Sequence, residues 1–213
     1  RMVLTASVAL YIAGFVGVFV SEIVQTAESV PRAALDAHFN TITARTAGFE
    51  TVAPSSLGPL ARFAITVLMF IGGSPGSTAG GAKTIVFAVL ALSVWATING
   101  RASAQAFKRT LPDEMVRKAA TFVTLHLVLV ATTTGLLSIT EPRHNGFALE
   151  QLLFEAVSAC STVGLSLDTT MSLSPEGRAV IIAAMFLGRV GLLAALVALV
   201  SVARDTKVRY AYP

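Results

Sequence analysis

Residues 57–99 cannot form one continuous helix. At about 1.5 Å per residue the stretch would run about 64 Å, roughly twice the hydrocarbon thickness of a bilayer. Two apolar runs, 60–71 and 85–98, are separated by Gly72-Gly73-Ser74-Pro75-Gly76-Ser77-Thr78-Ala79-Gly80-Gly81-Ala82-Lys83-Thr84. Five glycines and a proline fall within residues 72–81, and these are the two weakest helix formers. Each flanking run is short for a separate span. The pattern predicts a single membrane-crossing element broken in mid-span, with a polar insert at membrane depth. Such backbone is tolerated only where protein buries it or a water-filled cavity receives it.

Composition places the rest of the chain in the same solvent. The 213 residues are 54% hydrophobic and 13% charged, with a mean hydropathy of +0.72, whereas charged residues make up about 25% of soluble domains. The reading is an all-α integral membrane protein. The net charge of +4 does not point to nucleic acid, because the basic residues lie between apolar spans, where they act as topology signals. The lone Cys160 permits no internal disulfide. Residues 2–20 follow Arg1 but are long and lack a small-x-small cleavage site, so they read as a span rather than a signal peptide.

Residues 32–43 follow Pro31 and are too short and too polar to cross; they read as a re-entrant helix leading into Thr46-Ala47-Gly48-Phe49. Residues 100–118 carry an excess of Lys and Arg and are expected in the cytoplasm, as is the basic tail with Arg204, Lys207 and Arg209. Residues 119–139 form the next span, 148–160 a second re-entrant helix, Thr162-Val163-Gly164-Leu165 a second loop, and 179–202 a last span holding Arg189. Span, loop, span thus occurs twice, with Gly48 and Gly164 about 116 residues apart.

A re-entrant helix followed by an extended Thr-x-Gly segment has the architecture of a cation filter. Carbonyls of a few extended residues can replace an ion's hydration shell. Glycine permits positive φ and close backbone approach, which would turn the carbonyls of Thr46, Ala47, Gly48, Thr162, Val163 and Gly164 to a common axis. The helix C-terminal ends would favour a cation there. The bland alternative is a tight turn in a packed hairpin.

Thr43-Ala44-Arg45-Thr46-Ala47-Gly48-Phe49-Glu50-Thr51, the run Met69-Phe70-Ile71 with the glycine insert and Lys83-Thr84, and Phe154-Glu155-Ala156-Val157-Ser158-Ala159-Cys160-Ser161-Thr162-Val163-Gly164-Leu165-Ser166 resemble the Trk/Ktr/HKT potassium transporter family. With Arg189 and the ending Arg209-Tyr210-Ala211-Tyr212-Pro213, they are most similar to the C-terminal half of its KtrB-type membrane subunits. The resemblance implies two tandem span, re-entrant pore loop, span repeats of potassium channel-like type, half of a four-repeat pore. Residues 1–99 would be the third repeat, 100–118 a cytoplasmic linker, 119–203 the fourth repeat and 204–213 a cytoplasmic tail. The first and second repeats would precede them. It also implies a selectivity filter at Thr46, Ala47, Gly48, Phe49, Thr162, Val163, Gly164 and Leu165. The gate would comprise Gly72, Gly73, Ser74, Pro75, Gly76, Ser77, Thr78, Ala79, Gly80, Gly81 and Lys83, faced by Arg189. The transported ion would be K⁺, held by backbone carbonyls, with no catalytic cofactor. The partners implied are a second copy of the chain, a cytosolic nucleotide-binding ring of KtrA/TrkA type meeting residues 107–112 and the tail, and inner-membrane lipid.

Other readings are weaker. The insert lacks the adjoining Gly-Lys-Ser/Thr order of a phosphate-binding loop. Arg45 reads as a scaffold charge, with Glu155 as a candidate partner; His126 and Cys160 read as packing residues. Competing functions are a sodium-permeable or non-selective transporter of the same fold, a membrane enzyme using Arg189 and the insert, and a non-conducting structural subunit.

Overall fold

The computed structural model describes residues 2–25, 29–76, 79–101, 103–107, 109–141 and 146–190. Seven α-helices lie among them: α1 (Met2–Gln25), α2 (Val30–Thr43), α3 (Pro59–Ile71), α4 (Thr84–Ile98), α5 (Asp113–Thr140), α6 (Leu149–Cys160) and α7 (Pro175–Val190). A two-residue antiparallel ladder, β1 (Gln105–Ala106) with β2 (Arg109–Thr110), lies between α4 and α5. Each half of the chain runs long helix, short helix and irregular segment, followed by α3 and α4 in the first half and by α7 in the second.

Local sequence explains the boundaries. Pro31, Pro59 and Pro175 sit in the first turns of α2, α3 and α7, where the missing N–H is not needed. α5 opens on Asp113 and Glu114, whose negative charge suits a helix N-terminus. It therefore takes in part of the stretch read as linker from sequence. α1 and α5, at 24 and 28 residues, are long and apolar enough to cross a membrane, whereas α3 and α4 are shorter apolar helices. The expected break lies between α3 and α4: Gly72, at φ 71°, ends the first and Lys83, at φ 72°, precedes the second.

α1 differs from expectation. It continues through Ser21 and Glu22, polar residues that read as a helix end from sequence but are buried in the fold. Ser21 Oγ accepts from the Ala61 N–H at 3.1 Å and so satisfies an amide in the first turn of α3. The opposite face of α1 carries an exposed apolar stripe, Leu4, Val8, Ile12 and Val16, at the spacing of one helix face.

The second short helix, α6, is the centre of the packing. Leu152, Phe154, Ala156, Val157, Ala159 and Cys160 are all buried. α5 and α7 of its own half and α3 of the other half surround it, while α1 packs on α2, α3 and α4. Arg62 Nε pairs with Glu150 Oε1 at 2.9 Å, tying α3 to the start of α6. At the outer end of α5, the fully buried Glu141 accepts from the Ser174 hydroxyl at 2.7 Å and the Ser174 N–H at 3.2 Å. Its carboxylate therefore faces the N-terminus of α7.

α7 approaches the end of α6 without room for a side chain: a Cβ on Gly188 would stand 2.1 Å from the Cys160 carbonyl oxygen. Gly188→Ala is expected to force the two helices apart and cost about 1–3 kcal/mol by overpacking. Thermal stability of the detergent-purified protein, followed by size-exclusion profile, checks this, and an unchanged midpoint contradicts it.

Candidate ion-conducting site

α2 and α6 both end at irregular segments whose backbones share an unusual conformation. In the first, Thr46 and Gly48 both have φ 74°; in the second, Thr162 has φ 52° and Gly164 has φ 103°. The residues between them, Ala47 and Val163, are not in the positive-φ region. Alternating handedness turns successive carbonyls toward one side of the chain, where a uniform extended strand would send them to opposite sides. Positive φ costs a β-branched residue such as threonine about 1–3 kcal/mol, so it persists only where the surroundings impose it.

Hydrogen bonding imposes it. In the first segment, Ala47 and Gly48 N–H donate to the Thr43 carbonyl at 3.0 and 3.3 Å. The Phe49 N–H donates to Thr43 Oγ1 at 2.9 Å, and that hydroxyl donates to the Phe49 carbonyl at 2.6 Å. In the second, Thr162 N–H donates to Ala159 O at 3.1 Å and Val163 N–H to Ser158 O at 2.9 Å. Gly164 N–H donates to Ser158 Oγ at 3.1 Å. Thr43 and Ser158 each stand six residues before the amide they take. Among the described residues, no donor reaches the carbonyls of Thr46, Ala47, Gly48, Thr162, Val163 or Gly164. Both segments thus fold their amides inward and leave a row of carbonyl acceptors, at the C-terminal, partially negative ends of two helices.

The two segments meet. A Cβ on Gly48 would lie 2.1 Å from the Val163 carbonyl oxygen, while one on Gly164 would lie 3.8 Å from Gly48 Cα. Phe49 is exposed and Leu165 buried, so the residues that follow the two glycines do different work: Leu165 packs and Phe49 stays at the surface. Behind the second segment, Glu155 accepts from Ser166 Oγ at 2.8 Å, Thr169 Oγ1 at 2.6 Å and the Thr170 hydroxyl. It lines a cavity of about 330 Å³ with Thr162, Val163, Gly164 and Thr170.

The glycine insert lies against these segments and closes on itself. Gly73 N–H donates to Gly80 O at 3.4 Å, Ala82 N–H to Phe70 O at 3.2 Å and Thr84 N–H to Gly73 O at 3.0 Å. The Lys83 ammonium donates to the Ala79 carbonyl. Gly72 and Gly81 touch backbone to backbone, with a Cβ on Gly81 only 2.8 Å from Gly72 Cα. Gly80 abuts the second segment: a Cβ there would be 2.1 Å from Ser161 O and 2.3 Å from Thr162 Oγ1. A cavity of about 410 Å³ is lined by Arg45, Thr46 and Ala47 on one side and Gly73, Ser74 and Ala79 on the other. Arg189, in the last turn of α7, lies near enough to act electrostatically on Lys83.

Of the residues expected from sequence, 46–49 meet 162–165, and the insert meets the second segment at Gly80 and lines a cavity with the first. Pro75 and Gly76 form its turn, Ser77 and Thr78 lie outside the described residues, and so do the end of the last span and the basic tail. One expectation is overturned. Arg45 does not pair with Glu155, whose oxygens are taken by the three hydroxyls; Arg45 instead donates to Thr84 Oγ1 at 2.9 Å and reaches the Gly72 carbonyl and Ser7. His126 does more than pack, since its Nε2 stands 3.2 Å from Ser161 Oγ, directly behind the point where Gly80 abuts. Sequence reading missed Thr43 and Ser158 as site residues. Their common six-residue spacing to the loop amide is the signal that marks them.

The chain is similar to known proteins. A family model described as TrkH, cation transport protein, matches residues 2–209. The potassium/sodium uptake protein NtpJ of Enterococcus hirae is 37% identical over 177 residues, covering 82% of this chain and 39% of that protein. The Ktr system potassium uptake protein B of Vibrio alginolyticus is 34% identical over 157 residues, covering 74% of this chain and 34% of that protein. The chain therefore spans less than half the length of these relatives. The crystal structure of the potassium transporter TrkH from Vibrio parahaemolyticus superposes with a TM-score of 0.76 at 21% identity, covering 92% of this chain and 43% of that one, and so shares the fold. With the family model matched along nearly its whole length, this chain belongs to the TrkH family of cation transport proteins.

Proposed function

We propose that this chain is two repeats of a four-loop pore that takes K⁺ into the cell, with dehydrated ions passing between the carbonyls of residues 46–48 and 162–164 and two further loops. The observation that carries this is the arrangement of those six carbonyls, which no donor among the described residues reaches, beside two helix C-termini, on backbone held in alternating handedness. Such a row offers an ion the oxygen shell it gives up on leaving water. The insert at 72–83 is the gate, because Gly80 stands against Thr162 at the end of one loop and a cavity separates the insert from the other. Arg189 would face the insert on the side of Lys83, on which it acts as a like charge, and a charge at membrane depth is expensive unless it serves such a site.

Residues 1–99 and 119–203 make the third and fourth repeats, and the first and second complete the ring. The basic stretch from Arg101 to Lys118 and the tail face the cytoplasm across the inner membrane. A second copy of the chain and a cytosolic nucleotide-binding ring complete the assembly. That ring would meet residues 107–112, where Phe107 is exposed, and the tail. A sodium-permeable pore of the same build is the second reading, favoured by the Enterococcus hirae relative, a potassium/sodium uptake protein.

The intact four-repeat protein is expected to restore growth of uptake-deficient cells at limiting K⁺, and failure to do so with protein present in the membrane contradicts the function. Gly164→Ser is sterically admissible, with the nearest atom 3.8 Å from its Cβ, but forces a side chain onto φ 103°. It is expected to lower the preference for K⁺ over Na⁺ by about tenfold, roughly 1.4 kcal/mol of differential coordination; unchanged selectivity would remove Gly164 from the filter. Thr43→Val deletes the hydroxyl shared by the Phe49 N–H and carbonyl. A loss of about 1–3 kcal/mol for the orphaned amide should appear as reduced K⁺ flux at equal protein, and wild-type flux would contradict the bracing role.

A further inference from the structure

Arg45 immediately precedes the first carbonyl row, yet its side chain runs away from that row to the base of the glycine insert. Nη2 donates to Thr84 Oγ1 at 2.9 Å and to Ser7 Oγ at 3.4 Å, Nη1 to the Ser7 carbonyl at 3.5 Å, and Nε to the Gly72 carbonyl at 3.4 Å. The Thr84 hydroxyl, in turn, donates to the Gly73 carbonyl at 3.0 Å, the oxygen that also receives the Thr84 N–H. Ser7 Oγ stands 3.2 Å from Ser74 Oγ. α1, the end of α2 and the start of α4 therefore converge, through one guanidinium, on the first three residues of the insert. All four of its partners are neutral oxygens. The planar fork can serve several acceptors at once, which a lysine ammonium on a flexible stem does not reproduce.

We propose that Arg45 is the latch of the gate: a positioning residue that couples the first pore loop to residues 72–74 and holds the insert in place beneath the filter, where its far end at Gly80 meets Ser161 and Thr162. The inference rests on the reading of the insert as the gate. The geometry supplies a hinge at Gly72, whose φ of 71° only glycine adopts without strain. The latch closes over that hinge. It also keeps a cation that lines the cavity between loop and insert fixed to the protein, so that it does not swing into the path of K⁺. Release of the latch frees the near end of the insert while leaving the loop amides bound to Thr43, so flux changes and selectivity does not.

The test uses the intact four-repeat protein in K⁺-loaded vesicles, with Rb⁺ uptake measured per inserted protein. Six forms are compared: wild type, Arg45→Gln, Thr84→Val, a form lacking residues 75–79, and each substitution placed in the shortened form. Arg45→Gln and Thr84→Val are each expected to raise uptake by about tenfold with the insert intact, the effect of losing one charge-assisted hydrogen bond, and to add nothing once the insert is shortened. The near-isosteric Thr84→Val carries the test if Arg45→Gln fails to reach the membrane. If shortening raises uptake while Arg45→Gln and Thr84→Val leave it unchanged, or act equally in both backgrounds, the latch is overturned and the gate stands. A shortened form with wild-type uptake overturns the gate and the latch with it. A collapse of K⁺ over Na⁺ preference in Arg45→Gln places the residue in the filter and also overturns the latch.

Discussion

Backbone that leaves the helical conformation at membrane depth must find partners for its amides and carbonyls, because hydrocarbon supplies none. Everything around residues 46–49 and 162–165 follows from how that demand is met. The amides turn back onto the last turns of α2 and α6, and the hydroxyls of Thr43 and Ser158 take the next amide in line. With the donors bound inward, the carbonyls are left as acceptors that no donor among the described residues takes. Alternating handedness turns them to one side. A row of unpaired carbonyl oxygens is costly in an apolar surrounding and is relieved by water or by a cation.

The helices exist to hold those two segments still. α6 is buried on nearly every side, and close contacts at Gly188 and Glu141 lock it and its neighbours together. α1 does the corresponding work in the first half: its buried Ser21 satisfies an amide of α3 and its Ser7 meets Arg45. The glycine insert is held differently. It has no apolar side chain between 72 and 81 other than Pro75 and Ala79, so hydrogen bonds and backbone contacts rather than buried area keep it in place. It meets the second carbonyl row at Gly80, against Ser161 and Thr162. Three cationic side chains, Arg45, Lys83 and Arg189, surround it. Arg45 and Lys83 act on it through the Gly72 and Ala79 carbonyl oxygens, while Lys83 and Arg189 repel each other.

Some of this was readable in the residues alone. The break between α3 and α4 was legible because five glycines and a proline in mid-span exclude helix whatever surrounds them. The two loops were legible because Thr-x-Gly follows a short polar helix twice. Tertiary contacts decided the rest. Ser21 and Glu22 look like the end of a span, but burial against α3 lets α1 run on to Gln25. Arg45 and Glu155 look like a pair by charge, but Ser166, Thr169 and Thr170 reach Glu155 first, and Thr84 reaches Arg45. The β1–β2 ladder, only two residues per strand, is too short to leave a pattern of alternation.

The most direct measurement is the position of the ion itself. Crystals of the intact four-repeat protein grown in Rb⁺, with data collected at the rubidium absorption edge, locate the bound ions by anomalous scattering. The predicted result is a line of peaks on an axis faced by the carbonyl oxygens of residues 46–48 and 162–164, with further ions absent from the space occupied by the glycine insert. Peaks confined to other parts of the protein, or carbonyls at these six residues turned away from every ion, would contradict it.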